Sequence, residues 1–457
     1  MNPLYIYFQG SNQVTLTGEA DTVIQGCRYA PGTGKVSLAE QGEVIEETLD
    51  LILEGSADDI DDKLYLVEKF LEMANQETIK RDWIYLRFYD GVSYDWRSRI
   101  VGGRIEFLNH GLVDRDNESQ WAKLLIRRLN FWAGSRRSCP CFTASQADPA
   151  TGTYIAELFG HSDAAHKNYF GIDGHESEND LPTPLELDFM NPYTADPFYN
   201  ITISERVLRG TSRVDAGYIE GEALAEGSGA TRTISADAAC SGGSYGSFAW
   251  NSAAEVQLAK WAAASADLAV LRGQVQRGLV RLQAAMAYTD LWLCLKILNP
   301  GGMVMSESLW MLAPAGTKYL ELPPIAIPPG LIGYDLFQPV TVAIYARKTG
   351  GGAAAMPIDF VQFVPAETIR RLTYTQSGMT MGLNYALVDS GTEEETYYQN
   401  ADGTKAITHI GTGNFPMVYP GYDSIIHINH RGVGDATYTI DGKYSVLPFY
   451  EPRRRNL

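Results

Sequence analysis

The chain has 457 residues and carries 37 lysines and arginines against 55 aspartates and glutamates, a formal charge of −18. That balance excludes a broad nucleic-acid surface, which needs a lysine and arginine footprint, and the length calls for two to four domains that fold without staples. Five cysteines (Cys27, Cys139, Cys141, Cys240, Cys294) form an odd set with no repeated CxxC spacing, which supports neither a disulfide framework nor a zinc ribbon and fits folding in a reducing interior.

The opening "LYIYFQGS" reads as a strand, and so does "EVIEETLDLILEG". Ser56 with Asp59 three residues on is an N-cap signal, and Ile60, Leu64, Val67, Leu71 and Ala74 then recur at helical spacing. A helix over Ser56–Gln76 is expected to cover a sheet made with "DWIYLRFYD", "SYDWRSRIVGGRIEFL" and "SQWAKLLIRRLNFW". The Gly102-Gly103 pair in the second of these predicts a bulge or sharp bend. Cys139 to about Asp180 reads as loop, and "LPTPLELDFMNP" and "FYNITISERV" read as neighbouring strands. From Leu268 to Phe363 short strands with Pro and Gly punctuation follow one another, the pattern of a jelly roll or sandwich. The alanine-rich Leu258–Leu271 leaves helix and its alternatives open, and Gly350-Gly351-Gly352 reads as a hairpin tip. Leu372–Leu457 is β again, with turns at Asp402-Gly403 and Pro420-Gly421.

Chemistry-bearing motifs are few. No GxSxG elbow, Walker A or HExxH occurs, so an enzyme is not expected. His161 and His166 share a loop, and His427 and His430 lie three apart in a strand and point to opposite faces. Arg453-Arg454-Arg455 reads as a short solvated tail. No apolar run of membrane-spanning length and no signal peptide is present. "YIEGEAL" places Glu220 and Glu222 two apart on a strand, on one face, where like charges repel unless a cation or a proton lies between them. The alternative is a solvated acidic edge.

Two parts of the text resemble known families. "VIEETLDLILEG", the helix, "IYLRFYDGVSYDWRSRIVGGRIEFL" and "KLLIRRLNFWAG" resemble the N-terminal domain of tailed-bacteriophage distal tail proteins and their tail-tube relatives. "NADGTKAITHIGTGNFPMVYPGYDSIIHIN" and "KYSVLPFYEPRRR" resemble the C-terminal sandwich of the same proteins, with Asp423 at the usual asparagine position and Tyr422 intruding. The resemblance implies a mainly β chain: a split-barrel-like tail domain with one helix over 1–137, and a discontinuous β-sandwich over 138–210 and 372–457. It also implies a ring, hexameric, around the tail-tube end, contacts with tail tube and hub, and a place in the virion tail after synthesis in the host cytoplasm. A repeating tail-tube subunit and a free-standing carbohydrate-binding protein are the alternatives.

The insert over 211–371 has its own resemblance, carried by "YIEGEALAEGSG", "ACSGGSYGSF" and "PIDFVQF", to galactose-binding-type jelly rolls used as carbohydrate-binding modules. That resemblance implies a calcium ion held by Glu220, Glu222 and Asp359 between the first strand and the last; hard oxygen donors suit calcium. It further implies an aromatic platform for host-surface glycan. Trp250, Trp261 and Trp310, which lie near turns, are the candidates, each with a structural role as its alternative; Trp292, in the alternating "LWLCLKIL", is assigned to the core.

Overall fold

A computed structural model describes residues 4–8, 13–16, 24–38, 42–75, 84–89, 95–107, 119–129, 132–134, 136–139, 141–142, 147–148, 153–157, 169–177, 182–190, 201–208, 217–237, 240–263, 271, 273–327, 340–373, 386–391, 395–399, 405–430 and 437–445. Arg453–Arg455, His161, His166 and the Asp402-Gly403 turn lie outside them. The chain is mainly β, and it divides into two compact units: Met1–Arg136 with Asn179–Leu181 and Ser445–Leu457, and the remainder.

In the first unit, antiparallel strands follow the order Gln13–Thr15, Leu4–Phe8, Ile84–Tyr89, Asp95–Phe107, Ser119–Leu129, Gly42–Glu54, Ile24–Leu38. Asp95–Phe107 serves both halves of this sheet. Up to Arg99 it pairs with Ile84–Tyr89; beyond, it pairs with Ser119–Leu129, after a register shift between Ile100 and Gly102. The bend expected at Gly102-Gly103 is therefore present. A Cβ on Gly103 would come within 2.6 Å of the Leu125 carbonyl and 2.8 Å of Leu71, and the Asn75 side chain bonds both the amide and the carbonyl of Gly103.

The helix runs Ala57–Asn75, one residue inside each expected end. Ser56 caps it, its hydroxyl accepting from the Asp59 amide at 3.3 Å. Ile60, Leu64, Val67, Phe70 and Leu71 are buried on Leu49, Leu51, Leu53, Leu86 and Ile126, worth roughly 1.5–3 kcal/mol for each large side chain. Glu47 and Arg128 form a fully buried bidentate pair at 2.6 and 2.8 Å.

The second unit contains a long antiparallel path that forms the host for the insert. Its order is Ala147–Asp148, Thr153–Glu157, Thr437–Ser445, Thr183–Met190, Ala386–Ser390, Glu395–Gln399, Lys405–Thr412, Arg370–Thr373, Ile201–Val207, Ser424–His430, Tyr169–Ile172, Cys141–Phe142. Two expectations change here. Thr183–Met190 and Ile201–Val207 are not neighbours, because the strands from beyond the insert pair between them. The 139–180 stretch is not all loop: Tyr169–Ile172 is a strand buried at every position, so it shows no alternation to read.

The insert is a sandwich of two antiparallel sheets. Its first sheet has the order Thr231–Ala236, Ser244–Asn251, Ala353–Pro365, Val275–Leu282, Tyr319–Glu321, with Tyr218–Glu220 also on Ala353–Pro365. Its second sheet has the order Ala225–Glu226, Val256–Ala263, Val340–Lys348, Leu291–Leu298, Val304–Glu307, with Met311–Leu312 also on Leu291–Leu298. Phe248, Leu258, Val280, Leu293, Leu295, Ile344 and Met356 belong to one core cluster drawn from both sheets. Of the alanine-rich stretch, Leu258 to Ala263 is strand and Leu271 is helical. The Gly350–Gly352 turn, with φ of 66° at Gly351 and 80° at Gly352, is not a hairpin tip, since it joins Val340–Lys348 in one sheet to Ala353–Pro365 in the other.

Entry to and exit from the insert lie side by side. Ile201–Ile203 pair with Arg370–Leu372. The Thr368 hydroxyl donates to the Glu205 carbonyl at 2.7 Å and accepts from its amide at 3.1 Å. The Glu205 carboxylate accepts from the Met417 amide at 3.0 Å. Burial pushes this carboxyl up to about 8, against the Met417 amide and the Ser424 hydroxyl, which pull it down. The native state therefore holds a proton that the unfolded chain has released, and stability falls as pH rises from the ordinary carboxylate range through about 8. Glu205→Gln mimics the protonated acid. Its melting temperature is expected to match wild type near pH 5 and to exceed it at pH 8 to 9, as thermal melts across that range will show; parallel curves would refute the assignment.

Candidate functional site

The structure brings Glu220, Glu222 and Asp359 together, though not on one strand. The strand ends at Glu220, and Gly221–Ala223 is a 3-10 turn. A Cβ on Gly221 would press on the Ile358 and Asp359 backbone, so the turn packs directly on the last strand. Gly242 lies against both glutamates. Tyr218 donates to Ser241 at 2.8 Å, Ser241 donates to Glu220 at 3.2 Å, and the Ser241 amide donates to Asp359 at 2.9 Å.

One carboxylate of this cluster has its counter-charge within the protein. Arg281, on Val275–Leu282, reaches Asp359 at 2.8 Å, both side chains being buried. Burial nevertheless raises the Asp359 carboxyl to about 7; Arg281 pulls it down, and Glu220 and Glu222 push it up. For a calcium ion the fit is poor. One Asp359 oxygen is given to a guanidinium and the other to an amide, while Glu220 accepts from the Ser241 hydroxyl. Glu222 Oε2 and Asp359 Oδ2 are buried without a hydrogen bond, and Arg281 meets the second as an ion pair. Among the described residues no group of three or more potential ligands is arranged to hold a metal. Side chains and an amide link the first strand to the last here: Tyr218 to Ser241 and Ser241 to Asp359.

The three candidate tryptophans go to different places. Trp250 is 4% exposed in the insert core and presents no face to a ligand, which corrects its candidacy. Trp261 packs on the same core and stacks on Phe363, ring centroids 6.1 Å apart and planes at 16°, so it is not a platform either. Both sit at core-facing positions because alternation along their strands points them there. Trp310 lies over the outer face of the second sheet, with the Arg347 guanidinium 5.1 Å and the Lys296 ammonium 5.9 Å from its ring.

That outer face is the candidate site. Val340, Val342, Ile344 and Ala346 face the core, so Tyr345 and Arg347 face out. Leu291, Leu293, Leu295 and Ile297 do the same on the adjacent strand and leave Trp292 and Lys296 on the outer side. Trp292 stands opposite Arg347, and it is half-buried rather than part of the core. The Lys296 ammonium lies 4.6 Å from the Tyr345 ring and pairs with Glu255 at 2.7 Å and Glu307 at 3.3 Å. Gln257 donates to the Tyr345 hydroxyl at 3.3 Å. Aromatic faces bordered by amide, hydroxyl and cationic groups suit stacking with directional hydrogen bonds. Sequence reasoning missed Tyr345, Arg347, Lys296 and Gln257. The signal was the period of two in "VTVAIYARK", which sorts its residues between two faces without saying which face is covered.

No family model and no curated protein matches the chain. Among solved structures, the chain is similar to the CBM22-1 xylan-binding domain of Xyn10C from Paenibacillus barcinonensis, at 17% identity over 35% of this chain and 94% of that one, TM-score 0.20. It is similar to a carbohydrate-binding module of promiscuous specificity from the β-sandwich superfamily at 9% identity, over 80% of this chain and 98% of that one, TM-score 0.24. Infectious bursal disease virus, Gx strain, is similar at 9% identity over 71% and 83%, TM-score 0.19. Likenesses at these scores carry no argument; the sandwich is read from its own strand order.

Arg281→Met would leave Asp359 buried without its counter-charge and is expected to cost about 3–5 kcal/mol of stability, measured by chemical denaturation. Wild type should melt at the same temperature with and without a chelator. A chelator-induced drop would restore the metal to the carboxylate cluster.

Proposed function

We propose that this chain is a structural protein of a tailed-phage tail, resembling a distal tail protein, and that its inserted sandwich binds host-surface glycan on the outer face of the second sheet. The binding half rests on one observation, the row of Trp310, Arg347, Tyr345 and Lys296 on that face. The insert's described contacts to the host sandwich come mainly from its first sheet: Asn429 to Gln362 at 3.3 Å, Arg206 to the Phe363 carbonyl, and Tyr218 edge-on to Tyr169 and tilted against Phe360. The opposite face is the one proposed to meet a ligand.

The assembly half is supported by the resemblance of the N-terminal and C-terminal segments and by one feature of the first unit. Ile24–Leu38, fifteen residues long, ends the sheet order and is paired on one side among the described residues. A long edge of that kind is commonly hidden by pairing with another copy. A ring would display several inserts at once and turn weak sugar contacts into avidity. No helix among the described residues is long and apolar enough to cross a membrane.

Negative-stain electron microscopy with light-scattering mass tests assembly: six-fold rings are expected, tubes would favour a tail-tube subunit, and monomers at all concentrations would overturn the ring. On a glycan array, Trp310→Ala should lose the binding that wild type shows while its melting temperature moves by no more than a few degrees. Retained binding would remove this face from the proposal.

A further inference from the structure

The cations of the outer face are not equivalent. Lys296 is shared by Glu255 and Glu307. Lys348 is turned to Asp290 and to the Gly351 carbonyl. Elsewhere in the insert Arg277 is given to Glu321, Arg281 to Asp359, and Arg232 to the carbonyls of Glu222 and Leu224. Arg347 is exposed and has no acidic partner among the described residues, and the same holds for the half-buried Lys260. Lys260 stands opposite Ala343, which stands opposite Lys296, so strand alternation puts it on the same outer face as Arg347.

From this arrangement we infer that the face selects an anionic saccharide, whose carboxylate or phosphate is held by Arg347 while the sugar lies against Trp310. The inference rests on the glycan-binding reading above. A guanidinium laid near an indole ring keeps its N–H fork in its own plane, where it can meet an oxyanion with two parallel hydrogen bonds. A neutral sugar would cover that fork without a charge to match it, and covering an unmatched cation is costly. The rest of the chain opposes an anion: at a formal charge of −18 it repels such a ligand at long range. Two cations with no acidic partner among the described residues, on one face in so acidic a protein, are therefore a local reversal of sign. Lys260 adds to the attraction as a second point charge.

Two sources carry the same charge chemistry, uronates and phosphorylated sugars, and separate probes distinguish them. Binding is measured by calorimetry with polygalacturonate, its fully methyl-esterified form, phosphorylated dextran and plain dextran, on wild type, Arg347→Ala, Arg347→Lys and Trp310→Ala. Wild type should bind at least one anionic polymer about tenfold more tightly than its neutral counterpart, the range expected of a charged hydrogen-bonded pair. Arg347→Ala should abolish that preference, and Arg347→Lys, which keeps the charge and loses the fork, should fall between. Preference for polygalacturonate identifies a carboxylate ligand, and preference for phosphorylated dextran a phosphate. Equal binding of charged and neutral polymers, lost in Trp310→Ala, would overturn the anionic selection and leave glycan binding standing. If none of the four polymers binds and an array of neutral and anionic glycans is also blank, the glycan reading fails and this inference with it.

Discussion

The insert depends on the pairing of its first strand with its last. Tyr218–Glu220 lies on Phe360–Gln362, so the chain leaves the host sandwich and returns to it at one place. The constraint is topological: a domain inserted between adjacent antiparallel strands must close its own ends, or the host strands cannot pair. Here Ser204 and Glu205 bond Thr368 across the root, and Arg206 reaches the Phe363 carbonyl. Tyr169, Tyr218 and Phe360 fill the joint with rings 6.0 and 4.9 Å apart. One sheet of the insert is spent on anchoring, and that leaves the other as the face that can meet a partner.

Ionic groups inside the second unit follow the same economy. Arg370 holds Asp389 through two bonds at 2.5 and 2.6 Å and lies 3.4 Å from the Phe415 ring. Arg281 answers Asp359, and Glu321 is shared by Arg277 and Arg371, which ties the insert to the first host strand after it. Such pairs add little net stability compared with apolar packing, but an unmatched partner would be expensive, so they fix register. The same arithmetic explains why an unmatched arginine stands out at the surface. In water a free guanidinium is stable, and it becomes a recognition group only where shape and aromatic neighbours allow a ligand to exclude that water.

Free thiols fit this picture of chemical quiet. Cys240 and Cys294 are buried and carry no disulfide. Burial, with Asp359 and Asp237 adding to it, pushes the Cys240 thiol up to about 12, and burial raises Cys294 as well. Neither is a nucleophile at neutral pH. The side chains of Cys27 and Cys141 lie outside the described residues.

Much of the architecture is legible in the sequence because it is encoded locally. The Ser56 cap, the apolar spacing from Ile60 to Leu71, the Gly102-Gly103 bend and the Pro420-Gly421 turn each depend on a few consecutive residues, and Gly421 has the φ of 75° that its turn requires. The short strand Tyr169–Ile172 was hidden because both its faces are covered, which erases alternation. The site lay at the opposite limit. Period two in "LWLCLKIL" and "VTVAIYARK" defines two faces but does not choose between them, so Trp292 reads as core and Tyr345 goes unnoticed. The carboxylates of "YIEGEAL" advertise a partner, and only the fold decides that Ser241 meets Glu220 and that Arg281 answers the neighbouring Asp359. By itself the sequence determined the capped helix, the Gly102-Gly103 bend, the Pro420-Gly421 turn and the mainly β class. Which sheet is buried at the joint, which aromatics remain outside and which cations lack a partner were decided by the tertiary structure, because burial and pairing belong to residues far apart in the chain.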